Sequence, residues 1–324
     1  MIKSLARLCT AACAAAALVA VPEPRAQGYP SGPINLVIPL AAGDATDTAA
    51  RAIAEELSRE LKVPVVPVNR PGAGGALGTD LVVKAPKDGY TIILTNNAAL
   101  VFRAVLDPKV ASYDPLKDLT ALGLAMRTPS VLVVGAEQPY RNFRDIVEFA
   151  KNNPGKVRIG TAGVGSVGDF CVQTIRSITG ADITMVPFTG SSPAVTAIRG
   201  GHVEGGILAL GSLTGQLKSG AMRAIAISTR SAEFPEVPTL GELGYAQPLF
   251  GTWAAFFAPA GVPAEVTNAL VPALERAINA SSVAARLKPI GMISDYAPPD
   301  RLQAEIRDEQ RRVSDIARRA GLVK

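Results

Sequence analysis

Twice along this chain of 324 residues, an apolar run gives way to a glycine-rich turn and then to residues spaced as a helix. The first instance runs from residues 34–40 through the turn 41–47 into Ala50, Ile53, Ala54, Leu57 and Leu61. The second runs from 157–161 through 162–168 into Cys171, Ile175 and Ile178. A continuous apolar run suits a strand buried on both faces, and apolar residues three and four apart suit a helix packed upon it. Further strand-like runs fall at 63–68, 90–95, 131–134, 183–188, 207–210, 224–228 and 252–258. Strands alternating with helices predict an α/β fold with mostly parallel central sheets. The two similar corners predict two lobes. Turns that follow strands gather at the carboxyl edge of such a sheet, where ligands bind. Two facing lobes would therefore enclose a ligand cleft.

Composition narrows the function. Apolar residues make up 48% and charged residues 19%, which permits a sizeable core. The 33 Lys and Arg exceed the 28 Asp and Glu by a formal +5, but the excess is spread along the chain. No basic run with interleaved aromatics exists, so nucleic acid is not an expected partner. One histidine (His202) and three cysteines leave almost no ligands for a zinc site, and no metal or cofactor is expected. His202 follows Gly200 and Gly201 and reads as a solvated loop residue. No G-x-S-x-G is present, and no catalytic residue is assigned. Gly163, Gly165 and Gly168 match G-x-G-x-x-G after a strand. The acid that should close the next strand is missing, because Asp182 opens that strand and Phe188 closes it. The dinucleotide reading fails on that point.

Residues 1–26 read as an address. Lys3 and Arg7 precede an Ala/Val/Leu/Cys run at 8–21, and cleavage is expected after Ala26. The run is shorter than the ~20 residues needed to span a bilayer. Removal leaves Cys171 as the single cysteine, so an exported chain with no disulfide partner is expected. The expected location is the compartment to which such a leader exports a chain.

A helix start after a glycine-rich turn presents unpaired N–H groups and the positive end of the helix dipole. Thr46, Ser166, Thr189 and Ser191 add hydroxyls, and together these donors suit a carboxylate. The same residues, with Asp47, also serve as ordinary helix caps.

The order and spacing of several segments resemble a known family. They are Tyr29-Pro-Ser-Gly-Pro-Ile34, Pro39-Leu-Ala-Ala-Gly43 with Asp47, Asn69-Arg-Pro-Gly-Ala-Gly-Gly75 with Gly78, and Ala85-Pro-Lys-Asp-Gly-Tyr90. Gly163-Val-Gly-Ser166, Val186-Pro-Phe-Thr-Gly190, Gly200-Gly-His-Val203, Val237-Pro-Thr-Leu240 and Ala258-Pro-Ala-Gly-Val-Pro263 continue the match. The chain resembles the Bug-type periplasmic solute receptors of tripartite tricarboxylate transporters. The resemblance implies a type II periplasmic binding protein, with one discontinuous lobe of 27–126 plus 250–324 and a second of 127–249. It implies capture of a small-molecule solute (carboxylate, amino acid or aromatic acid) for an inner-membrane permease. A sensor without a transporter, or a secreted enzyme using the same cleft, are the alternatives.

By the same resemblance, ligand contacts fall on Ala42, Gly43, Asp44, Thr46 and Asp47 in one lobe. In the other they fall on Thr161, Gly163, Gly165, Ser166, Phe188, Thr189 and Gly190. Four features, at five positions, depart from the family pattern. Asp44 replaces a glycine, Asp169 a common histidine, Phe188-Thr189 a frequent Tyr-Lys pair, and Leu208 an acid. A carboxylate at the Asp44 turn would repel a ligand carboxylate, so an amine-bearing, neutral or aromatic solute is expected ahead of a simple dicarboxylate.

Overall fold

The computed structural model describes residues 28–323 apart from 41, 44, 189 and 320. The address segment, Asp44 and Thr189 therefore lie outside the described residues. The chain begins β1 (Ile34–Ile38), α1 (Ala45–Leu61), β2 (Val65–Asn69), α2 (Ala76–Val83), β3 (Thr91–Asn96), a π-helical turn (Ala98–Phe102) and α3 (Arg103–Leu106). Next come β4 (Leu119–Thr128), β5 (Ser130–Gly135), α4 (Phe143–Asn152), β6 (Val157–Thr161), α5 (Val167–Thr179), β7 (Ile183–Pro187) and α6 (Ser191–Arg199). Then follow β8 (Gly205–Ala209), α7 (Leu210–Lys218), β9 (Met222–Ile227), β10 (Thr252–Pro259), α8 (Ala264–Ile278), α9 (Ser281–Leu287), β11 (Ile293–Ala297) and α10 (Pro299–Arg319).

Two sheets result, ordered β11-β4-β10-β3-β1-β2 and β7-β6-β8-β5-β9. The strands that carry the glycine-rich turns do pair in parallel: β1 with β2 and β3, and β6 with β7 and β8. The remaining ladders are antiparallel, because β4, β5 and β10 carry the chain between the sheets rather than through βαβ crossovers. The sheets are therefore mixed rather than mostly parallel. β11 pairs antiparallel with β4 at an edge, and its residues are all half-buried. Such a strand lacks the inside–outside contrast that marks one in a sequence.

The first corner packs as its spacing requires. Ile34, Leu36, Val37 and Ile38 of β1 are all buried, filling both faces of the strand. Ala50, Ile53, Ala54 and Leu57 turn the buried face of α1 onto the sheet. Burying one such Leu or Ile contributes roughly 1.5–3 kcal/mol, so this corner is held firmly.

The sheets are joined by two crossing connections. Pro129 alone separates β4 from β5, and residues 228–251 lead back from β9 to β10. The Ser130 N–H donates to Ser228 Oγ at 3.0 Å, and the Ser228 N–H donates to the Ser130 carbonyl at 2.9 Å. A Cβ on Gly251 would lie 2.8 Å from Ser228 Oγ and would displace that hydroxyl from the Ser130 N–H. Phe102 of the first sheet's π-helical turn, Phe170 of α5 and Phe250 of the return connection meet edge to face. Their ring centroids lie 4.8, 5.5 and 6.2 Å apart. One hydrophobic cluster thus runs between the lobes, and α10 packs along it with Leu302, Ile306, Val313 and Ile316. Among the described residues, no helix is long and apolar enough to cross a membrane.

Candidate ligand-binding cleft

In the first lobe, β1 ends at Ile38 and the chain turns through Ala42 and Gly43, both exposed, into α1. Gly43 has φ +83°, the left-handed region that glycine adopts without steric cost. Asp47 is buried one helical turn on. Its carboxylate accepts the Gly43 N–H at 2.9 Å, Asn69 Nδ2 at 2.8 Å, and Arg51 Nε at 3.0 and 3.1 Å. Asn69 Nδ2 also donates to the Leu40 carbonyl, and Arg51 Nη2 donates to Asn69 Oδ1. Burial pushes the Asp47 carboxyl up, but the donors from Arg51, Gly43 and Asn69 outweigh it and hold the group below the usual range. Asp47 therefore stabilises the fold above the ordinary carboxylate pKa, and that contribution is lost as pH falls through its lowered value. Thr46 is buried beside it.

Asp47→Ala strips three donors of one acceptor. We expect a loss of about 2 kcal/mol in urea unfolding, at the low end for a broken buried pair because Arg51 is half exposed and can rehydrate.

The second lobe repeats the design. β6 ends at Thr161, and the chain turns through Gly163 (φ +133°) and Gly165 (φ +74°) into α5. Ser166 caps that helix, its Oγ accepting the Asp169 N–H at 3.3 Å. Asp169 Oδ2 accepts the Gly165 N–H at 3.0 Å, the counterpart of Asp47 and Gly43. Thr161 is fully buried, and its hydroxyl meets both the N–H and the carbonyl of Gly163. It shapes the turn from below. The Phe188 N–H donates to the Thr161 carbonyl, and a Cβ on Gly163 would lie 3.3 Å from the Phe188 carbonyl. Phe188 thus lies beside the turn 161–166. Gly190 (φ +138°) is the N-cap of α6, and Ser191 is its first residue rather than its cap.

The lobes also touch. A Cβ on Gly165 would come 2.9 Å from Leu106 Cδ1 of α3, and one on Gly291 would come 2.4 Å from Gly211 Cα of α7. Arg51, Asn69 and Leu106 join the candidate residues through these contacts. The spacing of four between Asp47 and Arg51 was the available sequence signal for the first of them. The 169 turn lacks that signal, since Gln173 stands four residues after Asp169.

Other singled-out residues lie elsewhere. His202 is exposed. Cys171 is buried, burial pushes its thiol up to about 12, and its Sγ donates to the Phe250 carbonyl at 3.3 Å. Trp253 is buried with Nε1 donating to Glu309. Among the described residues, no group of three acidic, histidine or cysteine side chains could hold a metal.

Comparison with known proteins now decides the family. The sequence model described as the tripartite tricarboxylate transporter family receptor, TctC, matches residues 49–322. The chain belongs to this family. Protein BugT of Bordetella pertussis is 34% identical over 299 residues, covering 91% of each chain. A TctC solute binding protein from Polaromonas, solved without ligand, superposes with TM-score 0.83 at 25% identity, covering 90% of this chain and 99% of that one. MatC from Rhodopseudomonas palustris, solved with malate, superposes with TM-score 0.70 at 30% identity, covering 89% and 99%. This TctC-family chain shares their two-lobe periplasmic binding protein fold.

Proposed function

We propose that this TctC-family receptor works in the periplasm as a monomer. It captures a small organic solute bearing a carboxylate, such as an amino acid or aromatic acid, by lobe closure. It then hands the solute to permease subunits of the tripartite tricarboxylate type. Residues 27–126 with 250–324 move as one lobe and 127–249 as the other. The observation that carries this reading is the pair of matched turns, one per lobe, each a strand end leading through left-handed glycines into a helix start. Helix starts of this kind can offer first-turn N–H groups and a positive dipole end to a ligand held between the lobes. MatC, with malate bound, supports a carboxylate-bearing solute.

The test is thermal unfolding of the chain from residue 27, refolded to remove carried solute, against carboxylates, amino acids and aromatic acids. A true ligand at about 100 times its Kd stabilises by about 2.7 kcal/mol, a rise of a few degrees for a chain of this size. A shift confined to one chemical class is the expected result. A flat response to the whole panel would overturn the receptor reading.

A further inference from the structure

Three carbonyls near the end of the return connection are each held by a side chain. Pro248 accepts Arg312 Nη2 at 3.1 Å, Phe250 accepts the Cys171 thiol at 3.3 Å, and Gly251 accepts Asn97 Nδ2 at 2.8 Å. Thr252 opens β10, so Gly251 sits at the crossing itself. A rotation of one lobe against the other is absorbed by a few residues at element ends of this kind. What fixes Gly251 therefore helps to fix how the lobes stand. Glu309 lines a cavity of about 150 Å³ together with Ser228, Gly251 and Thr252, which leaves the connection room to move.

Asn97 is fully buried, and all of its polar atoms are engaged. Its Nδ2 donates to the Gly251 carbonyl and, at 2.9 Å, to Glu309 Oε1, while its Oδ1 accepts the Trp253 backbone N–H at 3.4 Å. A carbonyl on one side and an N–H on the other fix which way this amide faces. Glu309 is equally committed. Oε1 receives Asn97 and Oε2 receives the Trp253 indole N–H at 2.6 Å, an acceptor-only pattern that suits the ionised carboxylate. A proton on Glu309 competes with one of these donors. The indole is a donor only and cannot turn to accept that proton. The amide can, because exchanging Nδ2 for Oδ1 brings an acceptor to Oε1. The same exchange turns Oδ1 towards the Gly251 carbonyl, and two acceptors then face each other. One amide cannot serve a protonated Glu309 and the Gly251 carbonyl together.

The other charges around Glu309 are engaged elsewhere. On its own helix it faces Glu305 and Arg312. Both Glu305 oxygens accept from Arg127 of β4, which also holds Asp295 of β11. Asp308 lines the same cavity and pairs with Arg311 and Arg312. From α5 comes the Cys171 thiol, pushed by burial up to about 12. β10 and the residue after β3 contribute Trp253 and Asn97, which do not titrate. Burial pushes the Glu309 carboxyl up to about 7 against its two donors, so both of its forms are populated around neutral pH.

We infer that Glu309 is a proton-operated latch on the lobe crossing: ionised, it aligns Asn97 to hold Gly251 and keeps the lobes as described, and protonated, it takes Asn97 for itself and frees the return connection to turn. No solute is needed for this coupling, so it stands or falls apart from the receptor reading.

The experiment follows single-molecule Förster transfer between dyes on Asn268→Cys of α8 and Lys151→Cys of α4, exposed positions on helices of the first and second sheets. The chain is refolded first to remove carried solute, and the buried Cys171 stays unlabelled. One narrow population is expected at about pH 8.5, and a second or broadened one at about pH 5.5. The midpoint should fall near pH 7. The ratio of the two arrangements changes about tenfold for each unit by which the Glu309 pKa differs between them. Glu309→Gln places an amide N–H where the proton would sit, and should give the acid pattern at both pH values. Trp253→Phe keeps Glu309 and deletes one donor to its ionised form, so the midpoint should rise. This second variant decides the matter if Glu309→Gln fails to fold. A single population unchanged across the pH range, a change that persists in folded Glu309→Gln, or a midpoint unmoved by Trp253→Phe overturns the inference.

Discussion

Phe170→Ala is expected to destabilise the protein by about 3–5 kcal/mol in denaturant unfolding. Phe170 is fully buried, and its ring meets Phe102 and Phe250 edge to face. Removing it deletes the largest apolar surface on α5 and opens a cavity whose walls come from both lobes and the connection between them. The surroundings cannot close that cavity by a local shift, because Phe102 is anchored on the first sheet's π-helical turn and Phe250 lies under the Arg312 guanidinium at 4.3 Å. Aromatic pairs also contribute about 0.5–1.5 kcal/mol beyond area burial. A loss below about 1 kcal/mol would show that the triad is loosely packed and that the lobes are not joined through it.

A second large effect concerns pH. Glu309 of α10 is buried, with Asn97 Nδ2 donating to Oε1 at 2.9 Å and Trp253 Nε1 donating to Oε2 at 2.6 Å. Both donors favour the ionised form, and Arg312 on the same helix adds to them. Burial outweighs these, Glu305 opposes them, and the carboxyl is pushed up to about 7 from its ordinary 4.5. Between those two values the folded chain holds a proton that the unfolded chain has released. Stability therefore falls as pH rises from about 4.5 to about 7 and is flat beyond. Glu309→Gln removes this slope. The wild-type minus variant stability, from urea unfolding at pH 4.5 and pH 8, should change on the order of 3 kcal/mol across the window. Parallel curves for the two proteins would mean that Glu309 titrates at its ordinary value.

These two residues also show where a sequence stops being readable. The corners of both lobes were visible because their parts are contiguous: Ile34 to Leu61 carries strand, turn and helix within one window, and strand and helix periods announce themselves. The Glu309 cluster was invisible because its partners stand 212 and 56 residues away along the chain. The close approach of Gly211 to Gly291 is hidden for the same reason, since nothing local demands a glycine at Gly211. Asp169 is a third kind of case. Read as sequence it is a departure from a family pattern. In the structure it is the twin of Asp47, and the informative difference lies four residues on, where Gln173 stands in place of an arginine. Sequence spacing showed that the two turns match, and the hydrogen bonds show that the residue four places on is the aspartate's partner in each.

The order of strands in the first sheet has a consequence for how the chain comes to be folded. β10 lies between β3 and β4, yet it begins at residue 252, long after both neighbours have been made. Until it arrives, the inner edges of β3 and β4 have no partner, and the six-stranded sheet stands open at its middle. Non-local pairings of this kind are slow to form, and unpaired edges invite the wrong partners. The six-stranded sheet can therefore close only when residues 252–259 are available to pair with both neighbours.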